Sequence, residues 1–462
     1  MLILLCASGV RLAAAWQWHS ETAARGLQFR LGDSDSYWVL ASQIARFQPY
    51  EYGSSDARIF RAPLYPLCLA PFTLFTEPST GIWYARVAGC LAGTWVVWMI
   101  MSSAHRLGGP QAAWWSGWIA ALYPGAIGMS IVILSEAVFC PLFLLSLSYW
   151  QKSLQVDAAS VPATSRTARR SAWLAGIFSG LAILARPSWL LFLPFAGFIL
   201  IAWGTQRGRQ LQVLAWIACG CVLALTPWWV RNAVITARFV PTTLQVGASL
   251  YDGLHEGASG GSDEDMAFIN GFIDQQREAD QQREADQQRE ADQQREADQQ
   301  LKEAKSSGQG AQASGLGGAG VWRDSTFEYR LNARLQNAAM DWAKKNVSGV
   351  LRLALIKLSR TWSLWPTAGE IGSTGLRLLL TSSCLAVLIA ALSASCYKRP
   401  DWGTSIGLLW LPVIYFTLLH MVFVGSIRYR EPAMLVLTGL AGVGLSQWLN
   451  QLRQAWKFCK PH

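Results

Sequence analysis

Two carboxylates stand two residues apart in the segment LGDSDSYWVLA, residues 31–41, as Asp33 and Asp35. A third carboxylate, Glu136, interrupts the apolar run ILSEAVF, where an unpaired ionised side chain is costly and therefore a candidate for function. Such groups act as a general base on an acceptor or hold a metal ion. Two Asp at this spacing are common by chance, so the pattern leaves open whether Asp33 or Asp35 is the base and whether both hold a divalent cation.

Arginines at the edges of apolar segments form the second set of candidates. A planar guanidinium makes two parallel hydrogen bonds to phosphate, which predicts a phosphate-binding role. The alternative is that these side chains reach lipid headgroups or cap helix ends. Carboxylates expected at the same depth in the membrane favour the phosphate-binding interpretation, because an acid can serve as base while arginine stabilises a leaving phosphate. The candidates are Arg61, Arg86, Arg186, Arg231, Arg428 and Arg430.

The composition places these residues in a membrane protein. Hydrophobic residues make up 52% of the 462 residues, charged residues only 15%, and there are 24 Trp, whereas soluble proteins carry about 25% charge. The net charge of +10 comes from Lys and Arg between apolar segments, which argues against nucleic acid and for a lipid bilayer as the partner. The nine Cys form no CxxC pair, so they predict neither a disulfide framework nor a zinc site.

An all-α polytopic fold with about ten transmembrane helices follows from the apolar windows, since about 17 to 25 residues cross a bilayer. Residues 172–203 are one apolar stretch broken at Arg186-Pro187, which predicts a hairpin of two short or tilted helices. The other predicted spans are 1–16, 81–104, 111–129, 131–150, 211–230, 374–396, 404–424 and 431–448.

Basic loops then define the sidedness. The loops 105–110, 151–171, 204–210 and 397–403 share one side, which the positive-inside rule makes the cytoplasm. Two long segments, 17–80 and 231–373, are expected outside, which places the candidate residues on the outer face of the plasma (inner) membrane. The predicted units are an N-terminal catalytic module, 1–230, the extracytoplasmic segment 231–373, and C-terminal transmembrane helices with a cytoplasmic tail, 374–462.

The extracytoplasmic segment contains a low-complexity repeat and a charged amphipathic stretch. The hexapeptide DQQREA recurs from Asp274, and the repeat decays by Ala304. Its composition favours an exposed helix, but a period of six keeps no apolar face on a 3.6-residue helix. We therefore predict a solvated spacer over 274–304. Residues 349–366 carry three basic residues at helical spacing with apolar ones, which predicts a helix lying in the membrane interface.

Several stretches in this order resemble the GT-C superfamily of polytopic glycosyltransferases. They are LGDSDSYW, FQPYEYG, RAPLYPLCLAPF, LSEAVF, ARPSWLLFLPF, LTPWWVRNAVITARFVPTT and RYREPAMLVLTGLAG. The branch they are most similar to is glycosyltransferase family 39, with the protein O-mannosyltransferases and the aminoarabinose transferases. The resemblance covers nearly all of the hydrophobic chain and leaves out the repeat.

The resemblance implies a polyprenyl- or dolichyl-phosphate sugar donor, inversion at the anomeric carbon, and an acidic base in the first outer loop. Asp33, four residues before Tyr37, holds that position, and Tyr37 and Tyr65 are the implied substrate-binding residues. Many relatives have Glu after this Asp, whereas here Ser34 follows. Two other classes stay open, a transporter or flippase of lipid-linked sugars and an inactive scaffold. The sugar and the acceptor are not specified by the sequence, and no cofactor is certain.

Overall fold

The computed structural model describes residues 1–155, 165–203, 207–263, 266–306, 326–366, 373–396 and 403–458. Parts of the basic loops 151–171, 204–210 and 397–403, on which the sidedness rests, lie outside the described residues. In chain order the helices are α1 Leu2–Ala24, α2 Gly32–Ala45, α3 Leu64–Leu69, α4 Pro78–Leu122, α5 Pro124–Ile131, α6 Glu136–Gln155, α7 Arg166–Ala185, α8 Phe192–Trp203, α9 Arg207–Thr236, α10 Val246–Gly253, α11 Phe268–Ser306, α12 Phe327–Lys345, α13 Val347–Thr361, α14 Thr374–Ser395, α15 Gly403–Val422 and α16 Ile427–Phe458.

Within the described part of the chain, four helices are long and apolar enough to cross a membrane. They are α4, α9, α14 and the part of α16 at Ile427–Gln454, and a fifth span results if α5 and α6, bent by 120°, count as one. Shorter apolar helices occupy Leu64–Leu74, Pro187–Trp203 and Ile406–Val422. The all-α multi-pass architecture is thus confirmed, while the expected number of ten spans stays a prediction.

The long helix α4 folds back on itself at Gly109. Gly109 has φ 77° and ψ −166°, a backbone conformation that glycine adopts without the steric cost of a Cβ, and Pro110 begins the second arm. A Cβ on Gly117 would lie 2.8 Å from the side chain of Met101, although a straight helix would separate these residues by roughly 24 Å. The two arms therefore pack side by side; the first contains the predicted window 81–104, whereas the predicted window 111–129 ends too late, because the second arm ends at Leu122.

Helix breaks place charged residues at the ends of α6 and α7. Arg186 has extended backbone, φ −144° and ψ 106°, as expected for the residue before a proline, and the predicted break at Arg186-Pro187 is where the structure has it. The predicted window 131–150 starts too early, because residues 132–135 form a sharp turn and the helix begins at Glu136. The first window, 1–16, ends too early, since α1 continues to Ala24.

Helix α16 lies at the centre of the bundle. Of its apolar window 72% is buried, against 22% for α14, and α16 packs on α4, α14 and α15. Aromatic rings fill the neighbouring core, where Trp189 stacks on Phe192 with ring centroids 3.8 Å apart and contacts Phe139 and Phe416. Packing against three neighbouring helices consequently fixes the position of α16 in the bundle.

The segment between α9 and α14 is also helical. The repeat lies in α11, where residues 281–300 are all exposed and the pair Asp280–Arg330, at 2.8 Å, ties the start of the helix to α12. Helix α13 exposes Leu351 and Leu355, while Lys357, expected at a membrane interface, is fully buried and donates to the carbonyl of Val422 at 2.7 Å. The charge of Lys357 thus caps α15 from inside the protein.

Candidate active site

Asp33 lies in the first turn of α2, where a carboxylate is favoured by the helix dipole. Its Oδ1 accepts a hydrogen bond from Arg61 Nη2 at 2.6 Å, and its Oδ2 accepts one from Arg428 Nη1 at 2.9 Å. Both oxygens are therefore engaged by guanidinium groups. The two arginines come from chain positions far apart, one in the loop after α2 and one in the first turn of α16.

Glu136 is the first residue of α6, and its side chain is 1% exposed. Its Oε1 accepts from Arg428 Nε at 2.8 Å and lies 2.5 Å from Arg186 Nη1. A carboxylate buried to this degree requires such partners, because desolvation of an unpaired charge costs several kcal/mol. Arg186 stands at the end of α7, where the negative end of the helix dipole favours a cation.

Arg428 joins the two carboxylates into one arrangement, which we call the charged cluster: Asp33, Arg61, Glu136, Arg186 and Arg428. Three guanidinium groups face two carboxylates, so the charged cluster carries an excess of one positive charge. Arg428 also sits in the first turn of α16, where the dipole adds further positive potential. An anion is therefore the ligand that this arrangement attracts.

Access to the charged cluster is uneven. The side chains of Asp33 and Arg428 are 34% and 29% exposed, whereas Glu136 is 1% exposed. A ligand arriving from the open side meets Asp33 and Arg428 first. Glu136 is placed to orient two guanidinium groups and has no exposed surface on which to receive a substrate.

The arginines also control the protonation of Asp33. Burial alone would raise the pKa of this carboxyl, but the charges of Arg61 and Arg428 and their hydrogen bonds hold the pKa below its usual value. Asp33 is ionised at neutral pH for that reason. A carboxylate held this way is a weak base until at least one guanidinium is drawn off.

Arg61 is fixed by residues that the sequence did not single out. Its Nε donates to Ser36 Oγ at 3.1 Å and its Nη1 to Gln245 Oε1 at 2.9 Å, and the guanidinium lies 5.0 Å from the ring centre of Tyr37. Ser36 follows Asp33 by three residues, a spacing that puts both side chains on one face of a helix. Gln245 had no comparable signal. Tyr65, the other predicted substrate-binding residue, packs edge-on against Tyr37 at 5.0 Å.

Two stacked rings, Tyr429 and His420, lie next to Arg186 and Arg428, and neither ring was among the predicted site residues. The ring of Tyr429 lies 5.5 Å from the guanidinium of Arg186 and 5.9 Å from that of Arg428. His420 stacks on this ring with centroids 4.4 Å apart. The position of Tyr429 between two arginines in SIRYRE was a readable signal, because an aromatic face holds a guanidinium by a cation–π contact.

Three of the predicted arginines lie outside the charged cluster. Arg430 donates to the carbonyl of Ser363 at 2.6 Å and so caps the end of α13; two residues after Arg428 on a helix, it must point elsewhere. Arg231 donates to the carbonyl of Arg58 at 3.2 Å. Arg86 contacts His19. The structure therefore places these three apart from Arg428, and their predicted phosphate-binding role stays a prediction.

Asp35 and Asp33 do not form a shared metal site. Their side chains point to different sides of α2, because residues two apart on a helix do not face each other. Asp35 is exposed and accepts from the hydroxyl of Tyr52 at 3.5 Å. Over the described ranges, no group of three or more His, Cys, Asp or Glu side chains could hold a metal ion, and both oxygens of Asp33 already bind guanidinium. These donors do not fit a divalent cation.

Comparison with known proteins gives a fold. No protein family profile and no curated protein sequence matches the chain. The oligosaccharyltransferase AglB from Archaeoglobus fulgidus, solved with an inhibitory peptide and a dolichol phosphate, aligns with TM-score 0.51 and 11% identity over 93% of this chain and 48% of its own. The same enzyme in the apo form aligns with TM-score 0.48 and 14% identity over 92% of this chain and 48% of its own. ArnT from Cupriavidus metallidurans bound to undecaprenyl phosphate aligns with TM-score 0.42 and 13% identity over 96% of this chain and 77% of its own.

The likeness to AglB shows a shared fold and does not by itself show an activity. The chain spans about half the length of that oligosaccharyltransferase. The shared fold agrees with the expected all-α architecture, and membership of the GT-C superfamily stays a prediction. The narrower resemblance to family 39 stays a prediction.

Proposed function

We propose that this protein transfers a sugar from a polyprenyl-phosphate donor to an acceptor at the extracytoplasmic face of the plasma membrane. The observation that carries the proposal is the pairing of Asp33 with two guanidinium groups beside the buried Glu136. Guanidinium groups that can bind a phosphate and a carboxylate that can act as base on the acceptor are thereby provided within a single hydrogen-bonded arrangement.

In the proposed reaction the donor phosphate takes hydrogen bonds from Arg428 and Arg61. Each guanidinium that turns to the phosphate withdraws a positive charge from Asp33, so the basicity of Asp33 rises only when the donor is bound. Asp33 then accepts the proton of the acceptor, the acceptor atom bonds to the anomeric carbon, and the bond from that carbon to the phosphate oxygen breaks. Arg428 stabilises the negative charge of the departing phosphate.

Glu136 and Arg186 have a positioning role in this proposal. Glu136 holds Arg428 by its Nε at 2.8 Å, so that Nη1, which donates to Asp33 in the structure, can turn to the donor phosphate while Nε stays bound. Arg186 offsets the charge of Glu136 through a direct ion pair. Asp33 is preferred over Asp35 as the base because Asp35 lacks a guanidinium neighbour in the charged cluster and faces Tyr52.

The fold supports this assignment. The structure of AglB contains a dolichol phosphate, and a chain of the same fold is suited to a lipid-linked phosphate of this kind. We further propose the ten spans, the outward orientation, and the division into residues 1–230, 231–373 and 374–462. Membership of family 39 and the substrate-binding role of Tyr37 and Tyr65 are part of the same proposal.

The test uses purified protein in detergent, a labelled polyprenyl-phosphate sugar, and two variants. Asp33→Asn should abolish consumption of the donor while donor binding persists, because the amide cannot accept the proton. Asp35→Asn is the matched control and should retain wild-type activity. Full activity in Asp33→Asn would refute the assignment. Donor consumption without a second membrane compartment excludes a transporter or flippase as the sole function, and a wild type that binds donor without consuming it would favour one.

A further inference from the structure

A second guanidinium is buried away from the charged cluster. Arg86, in the first arm of α4, is 3% exposed. Its Nη1 makes a 2.8 Å hydrogen bond with His19 Nδ1, and its Nε is buried with no hydrogen-bond partner in the described part of the chain. The edge of a guanidinium that includes Nε is one that binds phosphate with two parallel hydrogen bonds.

The charge of Arg86 is not offset by its surroundings. Among the described residues no carboxylate lies within ion-pair distance of Arg86, and a second arginine, Arg30, lies near enough to add to its positive potential. The pair Arg30–Glu21, at 2.9 Å, uses the nearby carboxylate, and Arg30 Nε is likewise buried without a partner. A buried cation without an anion is unfavourable, so this position calls for an anion that the chain does not supply.

His19 links Arg86 to a helix N-terminus. His19 Nε2 lies 3.3 Å from the hydroxyl of Ser79, an exposed residue in the first turn of α4. No side chain caps this end of α4, so its free N–H groups and helix dipole also favour an anion.

Aromatic side chains lie next to His19 and the start of α4. Trp16 is exposed and packs edge-on against Trp83 at 5.5 Å, and the His19 ring lies 5.7 Å from Trp83. Exposed Tyr84 and Phe75 stack on each other beside the start of α4. Trp and Tyr concentrate at the headgroup level of a bilayer, which indicates that His19 and the start of α4 lie at that level of the membrane.

We propose that Arg86, Arg30, His19 and Ser79 form a second anion site, which binds the phosphate of an anionic lipid headgroup. In this proposal the anion at Arg86 is distinct from the donor phosphate; among the described residues, Arg86 shares no hydrogen bond or ion pair with the charged cluster. The bound headgroup holds the end of α1 and the start of α4 together next to α2, which carries Asp33.

The test measures thermal unfolding of the delipidated full chain in neutral detergent during titration with phosphatidylglycerol or phosphatidylcholine. Wild type should be stabilised by phosphatidylglycerol only. Arg86→Met should unfold at a higher temperature than wild type without lipid, because a buried unpaired charge is removed, and its apparent affinity for phosphatidylglycerol should fall at least tenfold. Arg25→Met, an exposed arginine at the end of α1, is the matched control and should respond like wild type.

Further arms separate the alternatives. Arg428→Met, which removes the proposed donor contact, should keep the response; loss there with retention in Arg86→Met would overturn the second site and leave the proposed function standing. Inorganic phosphate alone should give no saturable stabilisation, and an equal response to it would overturn the lipid source. Arg86→Lys keeps the charge if Arg86→Met does not fold, and unchanged affinity in Arg86→Lys would contradict a site built on the guanidinium fork.

Discussion

The charged cluster and the repeat helix both consist of alternating acids and arginines, yet they use them in opposite ways. In the charged cluster, Glu136 and Arg428 join helices that are 292 residues apart in sequence, and Glu136 is almost fully buried. In α11, the pair Asp286–Arg289 links residues one turn apart at 3.6 Å, with more than half of each side chain exposed. The same charges therefore provide tertiary structure in one place and only solubility in the other.

Burial explains the difference. An exposed ion pair contributes about 0–1 kcal/mol, because water competes for both partners. Removing one member of a buried pair leaves an uncompensated charge and costs about 3–5 kcal/mol. Charge patterns that look equally regular in sequence can thus differ in energy by several kcal/mol once they are folded.

The largest effect should come from Glu136. Replacement Glu136→Gln leaves Arg428 and Arg186 without their shared carboxylate, and we expect a loss of about 3–5 kcal/mol in the free energy of unfolding. Denaturant or thermal unfolding in detergent measures it. Glu290→Gln in α11 is the control and should leave the melting temperature unchanged. Equal stability of both variants would show that the pairing of Glu136 is not what holds α6 to α16.

The next effect concerns donor affinity. Arg428→Lys retains a positive charge but loses the planar fork that contacts both Asp33 and Glu136. Hydrogen bonds to charged groups contribute about 1.5–3 kcal/mol each, so the apparent affinity for a polyprenyl-phosphate sugar should fall roughly 10- to 150-fold. Donor titration measures this loss. Arg430→Lys, two residues on and bound to backbone carbonyls, should retain wild-type affinity, and equal losses in both would remove the special role of Arg428.

The residues of the charged cluster show how much of the candidate site could be predicted from the sequence. Apolar windows and sidedness put Asp33, Glu136 and Arg428 at one level of the membrane, and Pro187 marked the break that places Arg186. The sequence could not separate Arg428 from Arg430, since both follow the same apolar edge. That separation depends on helix phase, which is known only once Ile427 is seen to begin α16.

Other features had no local signal at all. Lys357 was assigned to the membrane interface because charges interrupt an apolar stretch, yet it caps α15 through the carbonyl of Val422. Gln245 reaches Arg61 across 184 residues. Contacts of this kind come from tertiary packing, and neither hydropathy nor spacing encodes them.

A smaller effect involves a carboxylate that is bound by backbone groups in place of arginine. Glu328, in the first turn of α12, accepts from the N–H groups of Arg58 and Ile59, each at 2.9 Å. Burial raises the pKa of Glu328 from its ordinary 4.5 to about 7. Between these pH values the folded chain binds more protons than the unfolded chain, so stability should fall as pH rises from 4.5 to 7. For Asp33, whose pKa is lowered, the sign is opposite and stability is lost only in acid.

Glu328→Gln isolates this contribution. The amide does not titrate, so the melting temperature of the variant should vary less than that of wild type between pH 4.5 and 7, with the variant gaining relative to wild type as pH rises. Melting curves across that range measure the difference. A constant difference between the two proteins at all pH values would show that Glu328 does not change protonation on unfolding.

The smallest effect should come from shortening the repeat. Deletion of residues 286–297 removes two hexapeptides whose side chains are all exposed, so the melting temperature and sugar transfer should match wild type, because no buried surface is lost. The deletion keeps Asp280, which pairs with Arg330 at 2.8 Å with both side chains less than 20% exposed. Asp280→Ala is the contrasting variant and should cost roughly 0.5–1 kcal/mol. A deletion that folds normally but loses transfer would instead assign the exposed helix to acceptor binding, and the contrast between buried and solvated charge would no longer separate function from spacer.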